Sequence, residues 1–167
     1  MKEIKWSDEI SVGVDLIDSQ HKELIRIANE LIKAVHLGQE KEILDKVINK
    51  LREYTVFHFN CEEDLMEEIR YPGRSDQVRE HIRLKKDVKA FQRQLYLQED
   101  ITANTVLEFV TNWLIKHILA YDRKLARFIR QQKAKGIEID AKESETETSN
   151  ETEQSPPSEP DTSAKES

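Results

Sequence analysis

The chain has 167 residues, enough for one domain with a sizeable core and too few for two comfortable ones. Charged residues make up 35% of it, glycine and proline number four each, and the single cysteine, Cys61, excludes a disulfide framework and any multi-cysteine metal site. The net charge of −7 is concentrated at one end: residues 136–167 carry ten acidic and two basic side chains, and the rest carries 23 acidic and 24 basic ones, a near-neutral body without a nucleic-acid-binding footprint. The N-terminus has no apolar run of signal-peptide length and no later segment has membrane-spanning length, so a cytoplasmic protein with no membrane association is expected.

An N-terminal arm leads into a first helix on which Ile17, His21, Leu24, Ala28, Leu31 and Val35 recur at spacings of three and four, one continuous seam. Gly38 is placed to cap it. The second helix lays Ile43, Val47, Leu51, Tyr54, His58, Glu62, Leu65 and Ile69 on one face. Tyr71, Pro72 and Gly73 then break the pattern, and Ser75 or Asp76 is available to cap the third helix. That helix presents Gln77, His81, Leu84, Val88, Phe91 and Leu95. After a connection around Glu99–Thr102, the fourth presents Val106, Phe109, Val110, Trp113, His117, Ile118, Leu125, Phe128 and Ile129. The expectation is all-α: an up-down-up-down antiparallel four-helix bundle over residues 1–135. Residues 136–167, rich in Ser, Thr, Glu and Pro and poor in large apolar side chains, predict a disordered acidic tail. Such a tail is a solubilising appendage or, alternatively, a segment that recruits a protein partner.

The informative residues are the polar ones on the apolar seams. His21, His58, Glu62, Gln77, His81 and His117 occupy core positions, and Asp122 falls beside that face. A buried carboxylate costs several kcal/mol unless it is paired or coordinates a metal. Counting from the turns places these residues at one height. His21 lies 17 residues before Gly38 and His58 20 after it; Glu62 lies 10 before Pro72 and His81 9 after it; His81 lies 19 before Asp100 and His117 17 after it. His58 and Glu62 stand one turn apart, and His117 and Asp122 slightly more, as suits a carboxylate reaching across to bridge. Imidazole and carboxylate donors in this number fit one or two first-row metals, with zinc, manganese and iron open on ligand type alone. His36 lies 15 residues beyond His21, too far along the axis to join them. Cys61 adjoins Glu62 but points about 100° away, as a packing residue does.

The stretches from Trp6 to His21 (WSDEISVGVDLIDSQH), from His58 (HFNCEE), at Tyr71–Gly73 (YPG) and from Trp113 to Asp122 (WLIKHILAYD) resemble the bacterial members of the hemerythrin family, over about Ile4 to Arg130. The resemblance implies two non-haem iron ions, cycling between Fe2+ and Fe3+ with an oxo or hydroxo bridge, and reversible dioxygen binding for storage, delivery or sensing. One iron would take His21 and His58 and keep a position for dioxygen. The other would take His81 and His117, with Glu62 and Asp122 bridging the two. Leu24, Ile118 and Trp113 would form a dry pocket. The departure is Gln77, which stands where the family has a third histidine for the second iron: a weak amide ligand or merely a hydrogen-bonding neighbour. It keeps two alternatives in view, a di-iron redox enzyme acting on peroxide or nitric oxide, and a metal-binding adaptor with an altered site. The leading expectation is an oxygen-binding protein that is not an enzyme.

Overall fold

The structure, a computed structural model, describes residues 2–97 and 101–139. Helix α1 spans Asp15–His36, α2 Lys41–Glu68 and α3 Arg74–Leu97. The fourth rod begins with α4 (Ala103–Val110), passes through two π-helical turns at Thr111–Ile115 and Ile118–Asp122, and ends with α5 (Arg123–Ala134). The four rods form the expected bundle, α1 packing on α2 and on α4, and α2 on α3. No strand occurs among the described residues. The connection at 98–100 and the tail from residue 140 onward lie outside them.

The expected seams become the core. Leu24, Ala28 and Leu31 of α1, Leu51 of α2, Leu84 of α3, and Val106, Val110 and Ile118 of the fourth rod are buried. Ile43 differs: it sits exposed in the first turn of α2, and Leu44 packs against the core instead. Helix α3 starts ahead of the expected Ser75 or Asp76 cap; the Gly73 carbonyl accepts its first hydrogen bond, from Gln77 N, and Asp76 falls inside the first turn. There its charge favours the helix N-terminus. The start of α4 is capped by Thr102, whose hydroxyl accepts from Thr105 N.

The arm is tied down by one carboxylate. Asp18, in the first turn of α1, accepts from Val12 N at 2.8 Å, Gly13 N at 3.1 Å and the Ser11 hydroxyl at 2.6 Å. Ile10, Val12 and Val14 thereby pack into the core. Gly13 adopts φ +71°, and a Cβ there would meet the Arg130 guanidinium at 2.9 Å, so only glycine fits between the arm and α5.

Three helices end in the same motif. After α1, Gly38 N bonds Val35 O and Gln39 N bonds Ala34 O; after α5, Gly136 N bonds Lys133 O and Ile137 N bonds Gln132 O. Both glycines are left-handed, as this C-cap demands. After α2 the same pair of bonds forms, Arg70 N to Glu67 O and Tyr71 N to Met66 O, but the left-handed residue is Arg70, at φ 51°. An exposed side chain there gains no packing to offset its backbone cost. Arg70→Gly is therefore expected to stabilise the fold by about 0.5 kcal/mol or more and to raise Tm by roughly 1–3 °C, read by calorimetry. At the other end, Ile139 is buried with the core, four residues beyond Lys135. Ending the chain after Ile139 should leave the thermal transition in place, whereas ending it after Lys135 should lower stability by about 1–2 kcal/mol.

Candidate metal centre

All four rods deliver polar side chains to one buried layer. His21 comes from α1, His58 and Glu62 from α2, Gln77 and His81 from α3, and His117 and Asp122 from the fourth rod; none is more than 2% exposed. The spacing of His117 and Asp122 is resolved by the backbone. Five residues at 3.6 per turn would leave the two side chains about 140° apart. The π-helical turn at Ile118–Asp122, with its wider i→i+5 spacing, returns Asp122 to the face of His117, and their side chains meet at 3.0 Å. His36 is exposed at the end of α1, away from this layer, and Cys61 is buried but belongs to neither donor group.

The donors form two groups that share their carboxylates. His21, His58, Glu62 and Asp122 make one, Glu62, His81, His117 and Asp122 the other, and within each group the four ligand-type atoms lie within 4.8 Å of one another. The imidazoles pair accordingly, with ring centroids 4.8 Å apart for His21 and His58 and 5.1 Å for His81 and His117. Each Nε2 stands 3.0–3.9 Å from an oxygen of Glu62 or Asp122. Yet these contacts miss hydrogen-bond alignment: the Nε2 atoms of all four histidines, Glu62 Oε1 and Asp122 Oδ2 are buried without a hydrogen-bond partner. Close approach without alignment is the geometry of atoms aimed at a common third partner. A pair of divalent cations fits this donor set, because it satisfies the imidazole lone pairs and lets both carboxylates ionise in a core.

Electrostatics divides the labour within the cluster. Burial opposes ionisation of Asp122, but His117 and then His21 outweigh it and hold its carboxyl well below the usual range. Burial, reinforced by the Asp122 charge, pushes Glu62 up. Burial and then the neighbouring His21 hold His58 well below an ordinary imidazole. His81 is opposed by burial yet pushed up to about 9 by Glu62 and Glu63.

Sequence reasoning missed the residues that hold the ligand-type side chains in place. Gln20 Oε1 accepts from His58 Nδ1 at 2.9 Å, and Glu63 accepts from His81 Nδ1 at 2.8 Å. Both bonds fix the tautomer that turns Nε2 inward. Phe59 stacks on the His81 ring at 3.9 Å, nearly parallel. The signal available was adjacency alone: Gln20 precedes His21, Glu63 follows Glu62, and Phe59 follows His58. Gln77 reaches the centre through its amide nitrogen, which donates to Glu62 Oε2 at 3.1 Å and Asp122 Oδ1 at 3.0 Å.

Compared with known families, residues 12–129 match the Hemerythrin HHE cation binding domain. The chain belongs to the hemerythrin family. Hemerythrins typically bind dioxygen at a di-iron site. The chain is 36% identical over 124 residues to the bacteriohemerythrin of Clostridium acetobutylicum, covering 71% of this chain and 95% of that one. It is 32% identical over 121 residues to that of Stenotrophomonas maltophilia, covering 72% and 78%. A crystal structure of wild-type hemerythrin superposes with a TM-score of 0.67 at 25% identity, over 74% of this chain and 95% of that one. No helix among the described residues of this hemerythrin is long and apolar enough to cross a membrane.

The Glu63 contact has a measurable consequence in the metal-free protein. Glu63→Gln keeps the shape of the hydrogen bond but removes its charge, and is expected to lower the His81 pKa from about 9 by about 1, as followed by NMR titration of the imidazole.

Proposed function

We propose that this hemerythrin binds two iron ions between its four rods and takes up dioxygen there reversibly, for storage, delivery or sensing and without enzymatic turnover. The observation that carries the reading is the pair of four-donor groups sharing Glu62 and Asp122. His21 and His58 would hold one iron, His81 and His117 the other, and the two carboxylates would span both, with an oxo or hydroxo bridge completing the centre. When bound as ferrous ions, the pair supplies the two electrons that dioxygen binding at such a centre draws on.

The protein's own part is orientation and exclusion. Gln20 and Glu63 each occupy an Nδ1–H, so that His58 and His81 present Nε2 lone pairs to the centre. Leu24, Ile118 and Trp113 are buried, and the Trp113 indole N–H donates to the Leu84 carbonyl at 2.9 Å. With its one donor committed there, Trp113 adds an apolar wall, which keeps water from the centre. Dioxygen is the ligand that such a dry wall admits most readily.

A second reading is favoured by Gln77. An amide is a weaker ligand than imidazole, and here its nitrogen faces the carboxylates. The iron at His81 and His117 would then keep a position open to a reactant, which suits a redox enzyme acting on peroxide or nitric oxide.

Iron quantified per chain, with absorption spectra before and after anaerobic reduction and reoxygenation, tests the reading. Two irons and a spectrum that reverts on removing oxygen are expected, while irreversible bleaching on each oxygen cycle favours the redox reading. Glu62→Ala and Asp122→Ala should each lose both irons, since each carboxylate neutralises charge on both ions, whereas His36→Ala should retain two. A ratio near two in either carboxylate variant would falsify the bridging assignment.

A further inference from the structure

A cleft of about 400 Å³ opens on the bundle surface between the start of α3 and the second π-helical turn, with Tyr71, Gln77, Glu80, Arg83, Tyr121 and Lys124 in its walls. Its inner wall is Gln77. This side chain is only 1% exposed, yet the amide that borders the cleft also donates to both Glu62 and Asp122. One neutral side chain, held by two hydrogen bonds, thus separates a polar surface cleft from the two shared carboxylates. Arg79 pairs with Asp76, and Arg83 with Glu80 and Asp87. Lys124, exposed and lying 5.5 Å from the Tyr121 ring centroid, is the lining cation with no ion pair among the described residues.

The charge of the layer behind Gln77 decides what such a cleft would carry. Two carboxylates among neutral imidazoles offset half the charge of two divalent cations, and the remaining positive charge is buried, where an anion is the natural complement. A neutral gas gains nothing from Lys124 or from the polar walls. We propose that the cleft over Gln77 is an anion-access site. A small monoanion, drawn in by Lys124, displaces the Gln77 amide and reaches the metal position framed by His81 and His117. This route is separate from the apolar wall of Leu24, Ile118 and Trp113. The inference rests on the di-iron reading above.

The test uses the full-length, iron-loaded, oxidised protein with azide as the probe. The rate of the azide-dependent absorbance change is followed together with the rate of iron release to a chelator. Lys124→Glu should slow azide binding about threefold or more at low ionic strength, with the difference vanishing near about 0.5 M salt. Lys89→Glu, in the separate groove between α2 and α3, should leave the rate unchanged. Gln77→Ala should speed both azide binding and iron release about threefold or more, and Gln77→His should slow both. If either Lys124→Glu or Gln77→Ala leaves its rates at the wild-type value in a protein holding two irons, anions arrive elsewhere and the proposal is overturned while the di-iron reading stands. A protein that takes up no iron overturns both.

Discussion

Two carboxylates and four imidazoles share one layer of a small helical core, and the rest of the molecule is arranged around making that tolerable. Burying one ionised carboxylate costs several kcal/mol after the surroundings have relaxed. Asp122 stays ionised because His117 and His21 face it, while Glu62, one layer-mate away, is pushed towards its neutral form by burial and by the Asp122 charge. Two like charges this close resist sharing a low-dielectric space unless something positive sits between them. The cluster therefore cannot be a by-product of packing; it is a set of donors held at a cost that only a shared cationic partner repays.

The scaffold meets that cost through stiffness. The three left-handed C-caps stop α1, α2 and α5 sharply, so the rods return through short turns and residues equally far from a turn arrive at equal height. Asp18 pins the arm over the outside of the bundle, and Trp113 is locked by its bond to Leu84. Around the cluster, Gln20, Glu63 and the Phe59 ring fix the azimuth of His58 and His81. His21 and His117 are different, because their Nδ1 atoms have no hydrogen-bond partner. Packing alone orients those two rings, and each faces an oxygen of Asp122.

The bundle and the convergence of the seven polar residues were legible because a histidine or carboxylate on an apolar seam is conspicuous, and because antiparallel helices convert distance from a turn into height. His21, His58, Glu62, Gln77, His81, His117 and Asp122 all meet in the structure for that reason. Gln20 and Glu63 were illegible, since each sits off its own seam and acquires meaning only from a histidine on another helix. The Ile43 expectation failed because periodicity marks a face and says nothing about where along a helix the neighbouring rod stops covering it. Arg70 was hidden for a different reason: the cap that needs a left-handed residue is set by tertiary geometry, and the chain supplies arginine where glycine signals the same motif after α1 and α5.

The π-helical turns have a consequence for how this rod can change over time. Each widened turn absorbs one residue more than an α-helical turn, so the stretches before, between and after them keep separate phases. Deleting one residue between His117 and Asp122 would give an unremarkable α-helix with the histidine and the carboxylate four apart. It would also swing Leu125 and Ile129 by about 100° out of the core. The rod therefore behaves as segments joined by fixed phase offsets, tolerant of substitution but intolerant of any single-residue gain or loss between the ligand-type residues and the apolar residues that follow them.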